Sequence, residues 1–384
     1  MKIAIVTNAF KGTLTAPDAA RCIAKGLLRA SRTFRLDCVP MADGGAGTVD
    51  TIVRARRGKY RYAEVSNPLG EKVRARYGIV DGGKTAVIEM AAASGISLLK
   101  PHQRNPLKTT TYGTGELIQA AARTGVTKII VGVGDSATVE GGAGMAQALG
   151  ARLLDARGRE IGPGAAGLAT LRKIDLPISS AISAIKSKGI RILVACDVDN
   201  PLTGKNGAAH TYGAQKFAVR PPDSVIDELD ATLARFAAII KRDMGITLHN
   251  AKCTGTAGGL GAGLRAFLGA EFCSGLDLIA HMVGLAQRIS GCDLVITGEG
   301  KLDSQTVWGK APARIARIAN KAGLPVIAIG GTADRDAASL LRKGISAYFV
   351  CRPPRDINDL RADAAARLTD CAEQVGRLLS ISPR

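Results

Sequence analysis

Short apolar, β-branched runs that stop abruptly at glycine or an acid recur along this chain, and they restrict it to a layered α/β fold. Residues 2–7 (KIAIVT), 128–133, 191–196, 294–296 and 325–329 are too short for amphipathic helices and read as strands covered on both faces. Only 4% of residues are aromatic against 46% hydrophobic, and 46 are glycine, a balance suited to many strand-to-helix turns. At 384 residues the chain exceeds one ordinary core, so two domains are expected. Both ends carry the βα rhythm, whereas Tyr62–Ser66, Val73–Ile79 and Thr85–Met90 are antiparallel in character. The expected architecture is therefore a three-layer α/β domain with a mostly parallel sheet, built from residues 1–64 and 290–384, with an inserted mixed α/β domain at 65–289.

Composition removes several function classes. No apolar run reaches bilayer length, and the start reads as a strand and turn rather than a signal peptide, so a soluble cytoplasmic protein is expected. The eight cysteines lack C-x-x-C spacing and the four histidines stand alone, which argues against a structural zinc site. A net charge of +19 raises the question of a polyanionic partner. The basic residues are dispersed, and the densest patch, Arg54, Arg56, Arg57, Lys59 and Arg61, reads as a solvated helix end without the aromatic interleaving of a single-strand platform. Nucleic acid is thus not the expected partner.

Chemistry in such folds gathers at the carboxyl ends of the strands. After 294–296 come Thr297, Gly298, Glu299, Gly300, Lys301 and Asp303, with Lys310 further on. Glu299 and Asp303 are suited to hold Mg²⁺ or take a proton, and Lys301 and Lys310 to neutralise phosphate oxygens. The competing reading, a tight strand-to-helix turn with Asp303 as N-cap and solvated lysines, stays open on spacing alone. Asp197 and Asp199 suit a metal or a substrate hydroxyl, while Lys205, His210, Gln215 and Lys216 read as a polar crossover. Three glycine-rich turns precede helices: Asp43, Gly44, Gly45 and Gly47; Gly134 to Gly144 with Ser136 and Thr138; and Gly255 to Gly263. Each could offer backbone N–H groups to an anion, and Lys11 at the first strand's end could meet a phosphate or a carboxylate.

From residue 1 to about 350 the chain resembles the bacterial glycerate kinases of the type that includes the glycerate 2-kinases. The matching blocks are ADGG-GT at 42–48, IEMAAASG at 88–95, TT-GTGELI at 110–118, GGAGM-QALGA at 141–151, ACDV-NPL-G-NGA at 195–208, AGG-GA at 257–262, GAE--SG-D at 269–277 and ITGEG--DSQ at 296–305, followed by GK at 309–310. The resemblance implies transfer of the γ-phosphate of ATP to a hydroxyl of D-glycerate, with Mg²⁺ as cofactor and a monomer or homodimer as the working form. It implies catalytic or metal-holding roles among Asp197, Glu299, Asp303 and Lys301, with Asp197 and Asp303 toward the metal. Lys11, Asp43, Gly44 and Gly45 would bind substrate, and Ser136, Thr138, Gly141, Gly142, Gly258, Gly259 and Lys310 the nucleotide. The chain departs from the family pattern at Asn8 and Ala9 (Asp-Ser), Ala46 (Glu), Asp135 (Gly), Val139 and Glu140 (Asn-Asp) and Ala214 (Pro). Phosphorylation of another small hydroxy acid, or a non-catalytic regulatory role, are the alternatives these changes suggest.

Overall fold

The computed structural model describes residues 1–248, 250–303, 311–352 and 363–381. The first strands are β1 (Lys2–Thr7), β2 (Arg35–Pro40), β3 (Lys59–Ser66), β4 (Lys72–Val80), β5 (Thr85–Glu89) and β6 (Lys128–Gly132). They are followed by β7 (Arg152–Leu154), β8 (Lys173–Asp175), β9 (Arg191–Ala195), β10 (Glu271–Cys273), β11 (Leu294–Leu302), β12 (Val326–Ala333) and β13 (Ala347–Val350). Two compact units result, Met1–Asp43 with Leu276–Arg384, and Gly44–Gly275. No described helix is long and apolar enough to cross a membrane.

The unit built from both chain ends carries a parallel five-stranded sheet in the order β13-β12-β11-β1-β2. Alternate residues of its strands feed a core with the helices Ala16–Ala30 and Ala364–Leu379: Ile3, Ile5, Ile296, Ile327 and Ile329 pack with Ile23, Leu27, Leu368 and Val375. Gly26 is what lets the two helices close, since a Cβ there would lie 2.2 Å from the Thr369 carbonyl oxygen. The helix Ala16–Ala30 starts where Thr15 Oγ accepts from the Asp18 amide, with Pro17 in the first turn where no amide donor is needed. The opposite sheet face, with Ala4, Val6, Val295 and Ala328 fully buried, is covered by the helix Ala311–Lys321, which gives three layers.

β11 corrects one expectation. Thr297 to Lys301 do not follow the strand; they continue it, with Glu299 paired to Gly330 and Lys301 to Thr332 of β12. Gly330, Gly331 and Thr332 likewise extend β12 beyond the apolar run at 325–329. Glycine breaks a strand only where the neighbouring backbone does not hold it extended; here each glycine-rich segment supplies the other's ladder.

The second unit holds a six-stranded sheet in the order β10-β9-β6-β5-β4-β3. β3, β4 and β5 are antiparallel neighbours, and β5, β6, β9 and β10 are parallel. The unit begins at Gly44 and not near residue 65, because β3 pairs with β4 over eight residues and the helix Thr48–Ala55 packs on β4 and β5. It ends at Gly275 rather than 289. The basic patch is a helix end only in part: Arg54 lies in the last turn of Thr48–Ala55 and Arg56 caps it, whereas Lys59 and Arg61 sit in β3, interleaved with Tyr60 and Tyr62, and the Arg74 guanidinium stacks 4.2 Å from the Tyr62 ring centre. A single core joins Ile88, Val131 and Val194 of the parallel strands to Leu117, Met145, Phe236 and Phe267 of the covering helices.

Candidate active site

In the first unit, the carboxyl ends of β1, β2 and β11 carry the polar groups. The turn after β1 is held to β11 by the Asn8 amide, which donates to the Gly298 carbonyl at 3.3 Å. Asn8 Nδ2 also donates to Asp43 Oδ2 at 3.1 Å, so the residue that replaces an acid of the family pattern now binds the neighbouring acid. Gly300 passes beside Lys11, where an added Cβ would lie 3.3 Å from the Lys11 amide nitrogen. Glu299 is buried on β11, while Lys301, on the same strand, pairs with Asp334 at 2.9 Å and is half exposed. That hydrogen bond and charge, with Asp303 as a weaker contributor, hold the Lys301 ammonium above its ordinary pKa. Lys11, Asp43, Glu299, Lys301 and Asp303 thus share one sheet edge. Lys310 lies outside the described residues.

The second unit brings its predicted residues together through backbone. Gly44 lies against two strand ends: a Cβ on it would sit 2.5 Å from the Ala195 carbonyl oxygen of β9, and one on Gly132 of β6 would sit 2.4 Å from the Gly44 carbonyl oxygen. The Gly134 amide donates to that Gly44 carbonyl, and Gly45 abuts Gly134. Asp197 lies two residues past the end of β9 and accepts from Ser274 Oγ at 2.9 Å. The loop 134–142 is pinned along its length. The Ile96 amide donates to the Asp135 carbonyl, the Ala137 amide to the Ser94 carbonyl, Thr109 Oγ1 to the Ala137 carbonyl, and the Gly141 amide to the Gly258 carbonyl. Gly258 and Gly259 close against it; a Cβ on Gly258 would lie 1.7 Å from the Thr138 carbonyl oxygen. Their turn runs left-handed over three residues, including Ala257 at φ 53°, a conformation that costs a non-glycine residue about 1 kcal/mol. Gly44, Gly45, Ser136, Thr138, Gly141, Gly142, Asp197, Gly258 and Gly259 therefore belong to one connected set of strand ends and turns.

Two departures from the family pattern have physical explanations here. Asp135 stands where the pattern has glycine and keeps a left-handed φ of 58°, which Asp tolerates better than most residues. Glu140 is fully buried; it accepts from the Thr111 amide and hydroxyl and from the Gly144 amide at 2.9 Å, binding the end of the loop to two helix starts. Burial pushes its carboxyl up to about 7 against those donors.

Two groups that the sequence reading gave no role reach this region. Glu89, at the end of β5, accepts from the Val49 amide at 2.7 Å and so ties the helix that follows Gly47; burial raises its pKa. Its only signal was its place inside the IEMAAASG block. Lys216 is 4% exposed and donates to Ser136 Oγ at 2.7 Å and to the Thr138 carbonyl at 2.8 Å. Nothing in the local pattern separates it from a surface loop lysine. His210, by contrast, is held by Asp227 at 3.0 Å and Asp230 at 3.6 Å, away from these contacts.

The set fits an anionic ligand. Thr138 Oγ1 is buried and has no hydrogen-bond partner among the described residues, a cost that a ligand oxygen would remove. No three His, Cys, Asp or Glu side chains gather as a metal cage among the described residues. One or two carboxylates with ligand phosphates and water are the usual surroundings of Mg²⁺, and Asp197 in the second unit and Asp303 in the first are each a carboxylate of that kind.

The family model described as the glycerate kinase family matches residues 3–380. A glycerate 2-kinase of Escherichia coli K12 is 47% identical over 91% of this chain and 90% of its own length. A glycerate kinase of Bacillus subtilis 168 is 45% identical over 92% and 91%. A crystal structure from Salmonella typhimurium LT2, provisionally assigned as glycerate kinase 2, superposes with a TM-score of 0.83 at 42% identity, over 99% of this chain and 98% of that one.

Proposed function

The chain belongs to the glycerate kinase family, and from that premise we propose that it transfers the γ-phosphate of ATP to a hydroxyl of D-glycerate. The observation that carries the reading is the joining of the turns at 44–45, 134–142 and 257–259 around the ends of β6 and β9. Phosphoryl transfer asks the protein mainly to position and to neutralise charge, and preorganised N–H donors do both without reorganising. In this reading Ser136, Thr138, Gly141, Gly142, Gly258 and Gly259 cradle phosphate oxygens, with Lys310 as a further cation. Gly44 and Gly45 bring backbone donors to the acid substrate, while Lys11 and Asp43 bind its carboxylate and hydroxyl groups. Asp197 or Glu299 would take the hydroxyl proton, Asp197 and Asp303 would each be suited to hold Mg²⁺, and Lys301 would offset charge on the leaving group. When bound, Mg²⁺ would supply positive charge that offsets the charge of the phosphates.

An ADP-release assay with D-glycerate and Mg-ATP tests the reading. Turnover above the acid-free blank is expected, and ADP release no faster than that blank would reject it. Asn8 bound to Asp43 alters the acidic balance at the first strand end, which favours one second reading, a shifted acid specificity. A panel of small hydroxy acids in the same assay separates the two.

A further inference from the structure

Lys216 is a buried amine with no partner of opposite charge among the described residues. Its bonds go to a hydroxyl and a carbonyl, and an ammonium has three N–H donors to place. Burial alone pushes its pKa down, to about 7; no neighbouring charge contributes. The charged and titratable groups of the neighbouring segments form no ion pair with it among the described residues. Glu140 is spent on Thr111 and Gly144, His210 on Asp227, and Tyr212 on Asn200 Oδ1. Asp135 precedes Ser136 and is exposed, and Arg104, whose carbonyl accepts from the Ala218 amide, carries a buried Nε without a hydrogen-bond partner among the described residues. A buried ammonium without a counter-ion is among the costliest features a core can carry, so a purely structural clamp would be better made by a neutral donor. The same loop segment holds Thr138 Oγ1 without a partner, two residues from Ser136.

We propose that Lys216 is the counter-charge for an oxyanion docked on the Ser136–Thr138 segment, and that it takes up a proton from solvent as the anion arrives. It is a positioning residue that acts through Ser136 and Thr138. The inference rests on the kinase reading above and deepens it. The oxyanion has two sources, a nucleotide phosphate or the carboxylate of the acid substrate.

Calorimetric titration of the full chain at pH 7.5 decides this. The ligands are the Mg²⁺ complex of a non-hydrolysable ATP analogue and, separately, D-glycerate, each in HEPES and in Tris, whose ionisation enthalpies differ. One ligand should bind with uptake of roughly half a proton or more, and that arm identifies the source. Lys216→Met should abolish the uptake and weaken that ligand on the order of tenfold, as expected for loss of a charged partner. Lys216→Arg, which stays charged, should abolish the uptake while retaining more of the affinity, and Glu140→Gln, which removes the other buried group titrating near neutrality, should leave it. Absence of uptake with both ligands in the wild type, or uptake lost in Glu140→Gln, overturns the proposal even if Lys216→Met does not fold. Turnover of D-glycerate by the same preparation keeps the two readings apart: turnover without uptake rejects this inference alone, and no turnover rejects the kinase reading.

Discussion

The carboxyl edges of the two sheets handle polar groups in opposite ways. In the terminal unit the groups are side chains matched in pairs, Asn8 with Asp43 and Lys301 with Asp334, the latter about half exposed. In the central unit they are backbone turns pressed together without room for a Cβ, backed by the buried side chains of Lys216, Glu140 and Glu89. Solvent screens the first arrangement, so each pair contributes little to stability and stays adjustable. The second places titratable groups where water cannot help them, so it gains rigidity and becomes sensitive to pH and to ligand.

Glycine substitutions should separate the edges most widely. Gly258→Val puts a side chain into the Thr138 carbonyl at φ 70° and should cost roughly 4 kcal/mol or more in urea unfolding. Gly12→Ala, at φ 80° with nothing near its added Cβ, should cost only about 1 kcal/mol. Equal losses would erase the contrast.

Lys216 and Glu140 give opposite pH signatures. The Lys216 pKa is depressed from 10.5 to about 7, so the unfolded chain binds more protons between those values. Its contribution is therefore most favourable above pH 10.5 and is lost as pH falls through 7. Lys216→Met should flatten the pH dependence of Tm between 7 and 10 and, in the kinase reading, lower kcat/KM on the order of a hundredfold. Glu140 is raised from 4.5 to about 7, so its contribution is fully present below pH 4.5 and lost as pH rises to 7, about 3 kcal/mol at most. Glu140→Gln should remove that slope in thermal melts from pH 4.5 to 7. A Tm profile unchanged in either variant would show that the group is solvated.

The smallest effect belongs to the exposed pair. Asp334→Ala should change stability by less than about 1 kcal/mol. Lys301→Ala should be equally mild in unfolding yet slow turnover, and wild-type turnover in Lys301→Ala would remove that lysine from the mechanism.

Much of the framework was legible because burial on both faces leaves a plain mark. Lys2–Thr7 forms a strand at the expected residues, and the runs at 128–133 and 191–196 form strands one residue shorter than expected. The glycine turns were legible as turns, since only glycine relieves the close approaches found at Gly44 and Gly258. Where β11 ends was not legible: TGEG has turn composition, and only the ladder with β12 keeps it extended. The Lys59–Arg61 part of the basic segment was not legible for a related reason, because pairing with β4 fixes Lys59–Ser66 as a strand, whereas Arg54 and Arg56 end the preceding helix as expected.

The amino-acid order by itself determined a layered α/β chain, its family blocks and the residue types available for phosphate chemistry, since these depend on local periodicity and on which side chains are present. Tertiary structure alone decided that Lys216 is buried against Ser136 and Thr138, that Glu140 binds two helix starts, and that Asn8 holds Asp43. Apart from Glu140 with Gly144, these contacts join residues 29 to 80 positions apart, and the dielectric that sets their chemistry is made by the packing around them rather than by their neighbours in the chain.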